Sequence, residues 1–268
     1  MKKYFILIIS IYFIACGGNS GNSENKQWYK PSSNTSWQWQ LNDNINTSYD
    51  VELYDIDLFD TPQSVIDELH TKDKKVICYF SAGSYEDWRD DKEDFPIEVL
   101  GNNLDGWDGE KWLDISKLDL LKPIIDARLD LAKQKKCDGV EPDNVDGYTN
   151  NTGFALSAND QLNYNKYLAN AAHDRDLGIA LKNDIDQIIQ LEPYFDFALN
   201  EQCNEYNECD SYNAFISSNK AVLNTEYNNK YINDSNELNQ LCQSSISLNI
   251  RTLVLPMDLN DSFRISCD

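Results

Sequence analysis

The sequence predicts a single-domain (β/α)8 barrel, on three observations. Eight short stretches rich in β-formers are spread along it, amphipathic helical stretches separate most of them, and 268 residues suffice for one barrel once a leader and tether are set aside. That alternation demands a parallel sheet, and eight strands allow it to close. A doubly wound open sheet is the rival. Such sheets usually bind nucleotides through a glycine-rich turn, and neither GxGxxG nor GxxxxGK(S/T) occurs here.

Residues 1–15 read as a signal peptide. Lys2 and Lys3 precede an apolar run from Tyr4 to Ile14, shorter than the roughly 20 residues a spanning helix needs. The run ends in Ala15-Cys16-Gly17, which resembles a bacterial lipoprotein box with Cys16 as the lipidated residue. That resemblance implies export to the outer membrane or cell surface, attached to the membrane through the lipid alone. Ordinary secretion by cleavage near Ala15 is the alternative. Residues 16–36, rich in Gly, Ser and Asn, are expected as a lipid-anchored flexible tether, and residues 37–268 as the barrel domain.

The first strand is expected at Trp37–Leu41, where aromatic and polar residues alternate, and the second at Val51–Leu58. The link between them is too short for a helix. Thr61-Pro62 opens a helix, with Thr61 as its cap and Val65, Ile66 and Leu69 as its buried stripe. Lys75–Phe80 is the third strand. Residues 84–117 hold Trp88, Trp107 and Trp112 without a clean period, so they are expected as a long excursion over one rim. Its tryptophans either stack on sugar rings or form the core of a small lid. Leu118–Lys135 is the clearest helix, and the fourth strand follows within Cys137–Asp146. Ser157 caps the next helix. Strands are then expected at Gly178–Lys182, Phe195–Asn200, Ala221–Thr225 and Arg251–Met257, with helices at Asp184–Leu191, Asp210–Ser218 and Ser235–Ser245 between them.

If Cys16 is acylated, six cysteines remain, and an even set in an exported chain implies disulfides. Cys203 with Cys209 closes a short loop and Cys242 with Cys267 pins the C-terminus, which leaves Cys78 with Cys137 by elimination. With no CxxC pair, no metal site is expected. The formal net charge of -22, from 45 acidic and 23 basic residues, repels phosphate backbones and excludes nucleic acid as a partner; cationic partners are attracted.

The two histidines, His70 and His173, fall on helices outside the barrel and are expected as solvated. Their placement argues against hydrolytic triads. The predicted rim is polar and mostly acidic, with Asp55, Asp57, Asp143, Asp146, Glu201 and Glu226 at strand ends and Lys182, Asn183 and Asn200 as donors. Two carboxylates are the minimum apparatus for breaking a glycosidic bond: one protonates the leaving oxygen, and the other attacks the anomeric carbon or activates water. They need no cofactor. Within Cys137–Asp146, strand alternation sets Gly139, Glu141 and Asp143 on one face, with Asp143 nearest the C-terminal end. Glu201 fits less simply. It shares parity with Phe195, Phe197 and Leu199, an apolar set expected against the outer helices, so it reaches the mouth only if its strand ends near Asn200.

Four segments, Trp37-Gln38-Trp39-Gln40, Tyr79-Phe80-Ser81-Ala82-Gly83-Ser84-Tyr85-Glu86, Gly139-Val140-Glu141-Pro142-Asp143-Asn144-Val145-Asp146 and Asn200-Glu201-Gln202-Cys203, together resemble glycoside hydrolase family 114. The resemblance runs from about Trp37 to the C-terminus. It implies a (β/α)8 endo-α-1,4-polygalactosaminidase that retains anomeric configuration, with Asp143 as nucleophile and Glu201 as general acid/base. Expected substrate contacts are Trp37, Asp55, Asp57, Tyr79, Ser81, Glu86, Glu141, Asn144, Asp146, Lys182, Asn200 and Glu226. The implied partner is a cationic or amino-sugar polysaccharide acted on by a monomer. The alternative is a surface carbohydrate-binding lipoprotein that keeps the barrel without turnover.

Overall fold

The computed structural model describes residues 27–267. The expected signal peptide and Cys16 lie outside them. Eight strands run parallel in the order β1 (Trp37–Gln40), β2 (Leu53–Asp57), β3 (Lys75–Ser81), β7 (Gly139–Asp143), β8 (Gly178–Lys182), β9 (Phe197–Glu201), β10 (Val222–Glu226) and β11 (Arg251–Val254). The short β12 (Ile265–Ser266) joins β11 antiparallel. The seam back to β1 is bridged by hydrogen bonds from Trp37 Nε1 to the Arg251 carbonyl (3.1 Å) and from Arg264 Nη2 to the Trp37 carbonyl (2.9 Å). The architecture is the (β/α)8 barrel that the alternation predicts.

Helices α1 (Gln63–Thr71), α2 (Leu118–Gln134) and α3 (Ala158–His173) cover the strands on one side. Shorter helices α4 (Ile188–Leu191), α5 (Cys203–Tyr206), α6 (Asn213–Ser217) and α7 (Lys230–Asn233) fill the later connections, and α8 (Ser235–Ser247) precedes β11. Ser157 caps α3 as expected, its Oγ accepting the Asp160 N–H while Asp160 accepts that of Ser157. Thr61 does not cap α1. The cap position is Pro62, in extended conformation, one residue later than the sequence suggests.

Two apolar layers explain the parity at Glu201. Outward residues such as Ile56, Phe80, Val140, Ile179 and Leu181 pack with helix residues Ile66, Leu121 and Leu168. Inward residues form a second cluster that includes Trp37, Leu53, Ile77, Phe197, Leu199, Leu223 and Leu253. Phe197 and Leu199 therefore face the interior, against expectation, because the lower storeys of a parallel barrel are packed core rather than a pore. Phe195 precedes the strand and belongs to the outer layer. The alternation then carries Glu201 inward as the last residue of β9, with no early end to the strand.

The rim excursion is a three-stranded antiparallel sheet, β4 (Ser84–Glu86), β6 (Glu110–Leu113) and β5 (Leu100–Asn103) in that order. It is pinned to the rim by two buried arginines. Arg89 meets Asp57 at 2.6 Å and Glu86 at 2.9 Å, and Arg128 of α2 meets Asp91 at 2.7 Å and the Ser81 carbonyl at 2.6 Å. Trp112 is buried in this lid, whereas Trp88 and Trp107 are half exposed.

The opposite pole is closed by the segment expected as the end of the tether. Trp28 stacks on His173 at 3.9 Å between ring centroids, and its Nε1 donates to Asp196. Neither histidine is simply solvated, contrary to expectation: His70 pairs with Asp138 (3.0 Å) and His173 with Asp196 (2.9 Å). All three expected disulfides are present, Cys78–Cys137, Cys203–Cys209 and Cys242–Cys267. Among the described residues no helix is long and apolar enough to cross a membrane.

Candidate active site

The C-terminal ends of the strands open into a cavity of about 640 Å³. Its lining includes nine carboxylic side chains and two cationic ones, Arg89 and Lys182. Inside a barrel each strand contributes alternate residues, so the last inward residue of each borders the opening. For β7, β8 and β9 these residues are Asp143, Lys182 and Glu201, on three neighbouring strands.

Lys182 is 1% exposed and joins the group. Its Nζ lies 3.0 Å from Glu141 Oε1, 3.1 Å from Asp143 Oδ1 and 3.2 Å from Glu201 Oε2. The Trp39 ring covers it, with its centroid 4.7 Å away. Asp143 Oδ1 and Glu201 Oε2 thus lie at most about 6.3 Å apart, the sum of their two lysine contacts. Burial opposes the charge on Lys182, yet Asp143, Glu141 and Glu201 together hold its pKa well above that of an ordinary lysine. Glu201 also accepts a 2.5 Å hydrogen bond from the Tyr227 hydroxyl, and Asp143 accepts one from the Asn144 N–H at 2.7 Å.

Each of these three strands ends abruptly. The next residues, Asn144, Asn183 and Gln202, all have left-handed backbones, with φ of 61°, 47° and 64°. Asparagine tolerates that region; glutamine does so at a cost of order 1 kcal/mol or more. Local bonds hold the turn after β9. Asn183 Oδ1 accepts the Glu201 N–H, Gln202 N–H donates to the Thr225 carbonyl, and the Cys203–Cys209 disulfide closes the segment that follows. Gly83 serves the turn after β7, where any Cβ would sit 1.6 Å from the Asn144 carbonyl oxygen.

Of the residues named from sequence, Asp57, Tyr79, Glu86, Asp143, Asn144, Asp146, Lys182 and Glu201 line the cavity. The other six do not. Trp37 fills the barrel below, since its position on β1 is one storey under Trp39. Asp55 and Glu141 face inward but are fully buried beneath the opening. Burial pushes the Asp55 carboxyl well above its usual range, and Glu141 is pushed up to about 8 by burial against the pull of Lys182. Ser81 bonds to Ser84 and Asn144. Asn200 and Glu226 lie on the outward faces of their strands. Asn200 donates to Asn183 and Tyr212, while Glu226 accepts the Asn204 N–H at the start of α5.

Sequence reasoning did not single out Glu110 or Tyr227. Glu110 lines the lid side, bonds to Ser84 Oγ at 2.6 Å and is pushed up to about 7 by burial. Asp146 is pushed up to about 6, chiefly by burial and then by Asp143. Four exposed apolar side chains also border the cavity: Trp88 and Trp107 from the lid, Tyr206 from α5 and Met257 after β11.

The sequence profile of glycoside hydrolase family GH114 matches residues 18–268. No curated protein matches the chain. The crystal structure of Ega3 from Aspergillus fumigatus in complex with galactosamine is 43% identical, covers 90% of this chain and 98% of its own, and superposes with a TM-score of 0.85. The glycoside hydrolase domain of PelA from Pseudomonas aeruginosa, 10% identical over 86% of this chain and 98% of its own, shares the fold with a TM-score of 0.67. A parallel barrel whose adjoining strand ends bring two carboxyls onto one lysine, matched by that profile over nearly all its length, belongs to glycoside hydrolase family GH114 and is a glycosidase.

Proposed function

We propose that this glycosidase hydrolyses α-1,4-linked, galactosamine-containing polysaccharide with retention of anomeric configuration, using Asp143 as nucleophile and Glu201 as general acid/base. The observation that carries the reading is the contact of both carboxyls with one lysine at the mouth of the cleft. Retaining glycosidases separate their carboxyls by about 5 to 5.5 Å and inverting ones by roughly 6.5 to 9.5 Å. An Asp143 Oδ1 to Glu201 Oε2 distance of at most about 6.3 Å accords with the closer, retaining spacing.

In the first step an Asp143 oxygen bonds to the anomeric carbon as the glycosidic bond breaks, and the Glu201 proton passes to the departing oxygen. In the second, Glu201 takes a proton from water, which attacks the anomeric carbon and frees Asp143. The choice of substrate is supported by the galactosamine bound to the 43% identical Ega3 and by the carboxyl-rich lining, which attracts ammonium groups. Exposed aromatic rings on two sides of the opening suit an extended polymer crossing it, hence internal cleavage. Export, with Cys16 as a lipid anchor, belongs to the same reading.

The test is release of new reducing ends from galactosamine polymer. Asp143→Asn and Glu201→Gln are expected to lower kcat at least about 10³-fold while polymer binding persists. The first-formed anomer, followed by proton NMR, is expected to be α. Full activity in either variant would overturn the residue assignment, and binding without cleavage by the wild type would make the protein a lectin-like barrel.

A further inference from the structure

We propose that Lys182 is a shared counter-ion along which negative charge passes between Asp143 and Glu201 during turnover. This rests on the two-carboxylate reading above and adds a role that hydrolysis by two acids does not itself require.

Lys182 Nζ donates a hydrogen bond to Glu141 Oε1 and lies within ion-pair distance of one oxygen each of Asp143 and Glu201. Glu141 is fully buried and takes no part in bond making, so it anchors the ammonium from below, while the Trp39 ring closes another side. The two remaining contacts, at 3.1 and 3.2 Å, go to the two acids that exchange charge.

When Asp143 forms its ester with the sugar it loses its negative charge, and Glu201, having given its proton to the leaving oxygen, gains one. Hydrolysis of the ester reverses both changes. Through the whole cycle Lys182 faces one carboxylate and one neutral partner, the Glu201 acid at rest and the Asp143 ester in the intermediate, so the charge of the trio is constant and the lysine need not move. A fixed cation of this kind stabilises each transition state without reorganisation, in a site where burial makes the field strong. Other ionisable groups near the trio are Asp55 from β2, Tyr79 from β3, Asp146 after β7, Tyr212 and, from the lid, Glu110, with the Tyr227 phenol bonded to Glu201. Burial pushes Asp55 and Glu141 toward their neutral forms, while Glu141 Oε1 keeps its hydrogen bond from the ammonium.

The experiment compares Lys182→Met and Lys182→Gln with wild type on galactosamine polymer. Both variants are expected to lose about 10²–10³-fold in kcat with KM changed only a few-fold. The acidic limb of the kcat/KM profile should move to higher pH, because removing a cation disfavours the anionic form of the nucleophile. Three results would overturn the proposal: kcat within about threefold of wild type, a loss of kcat with an unmoved acidic limb, or a rise in KM alone. Should neither variant fold, the 15N resonance of Lys182 in wild-type protein decides. An ammonium protected from exchange across the active pH range supports the role, and a neutral amine overturns it. Asp143→Asn and Glu201→Gln separate the two levels. If they cleave, the two-carboxylate reading fails whatever Lys182 does; if they are inactive while Lys182→Met is normal, only this inference fails.

Discussion

The two poles of the barrel use the same side chain in opposite ways. At the floor, Asp138 and Asp196 stand just before β7 and β9, and each is surrounded by donors. Asp138 accepts the Val76 N–H and pairs with His70 and Lys75; Asp196 accepts the Ile179 N–H and pairs with His173 and Lys30. Although burial works against its charge, those partners hold Asp196 below the usual carboxylate range. At the mouth, Glu110, Asp146 and Glu141 are raised to about 7, 6 and 8, chiefly by burial, and Glu141 Oε2 meets no donor among the described residues. A buried acid matched by donors holds a fold together; one left short of them keeps a proton available near neutrality. Acids of the second kind gather where the strands end, beside donor-matched ones such as Asp57 and Glu86 on Arg89.

The contrast would be broken most directly at the floor. Asp196→Ala strands the Ile179 N–H and the His173, Trp28 and Lys30 partners, and is expected to cost about 2–4 kcal/mol of stability in denaturant unfolding. Below the melting range kcat should be unchanged; a parallel fall in kcat would show that the poles are not independent. At the mouth, Tyr227→Phe removes the short bond to Glu201 and is expected to lower kcat at least about tenfold, with Tm shifted by only a few degrees. A large fall in Tm with normal kcat would move Tyr227 to the structural side.

The gentlest test is the pH dependence of Tm. Glu141, Glu110 and Asp146 hold protons in the fold after the unfolded chain has lost them near pH 4, so stability falls as pH rises from about 5 to about 8 and then levels. Asp196 has the opposite sign: its contribution is present above the unfolded value and lost as pH falls through the lower folded one. Tm should therefore be highest near pH 5, and a Tm that rises toward pH 8 would contradict the electrostatics of the mouth.

Much of this was legible in the chain because parallel barrels obey alternation. Asp143 and Lys182 each end a short strand, and strand parity alone puts them inside. The same rule, applied fully, excludes Asn200, since neighbours on one strand cannot both face inward and Glu201 does. Glu226 was harder to exclude, because residues 221–223 are apolar at every position and show no preferred face. Glu201 was obscured by the assumption that an apolar set must face the helices, whereas the barrel's lower interior is as apolar as its exterior. Glu110 and Tyr227 left no local signal. Each reaches the site from a loop or an antiparallel strand whose path depends on distant pairings such as Arg89 with Asp57, 32 residues apart.

The segment around Trp28 also sets where the described polypeptide meets the barrel. It lies against His173, Asp196 and the starts of β3 and β8, so the polypeptide enters the barrel from the pole facing away from the cleft. That junction and the cleft therefore occupy opposite ends of the barrel, so a long polymer lying across the opening does not meet the Trp28 segment.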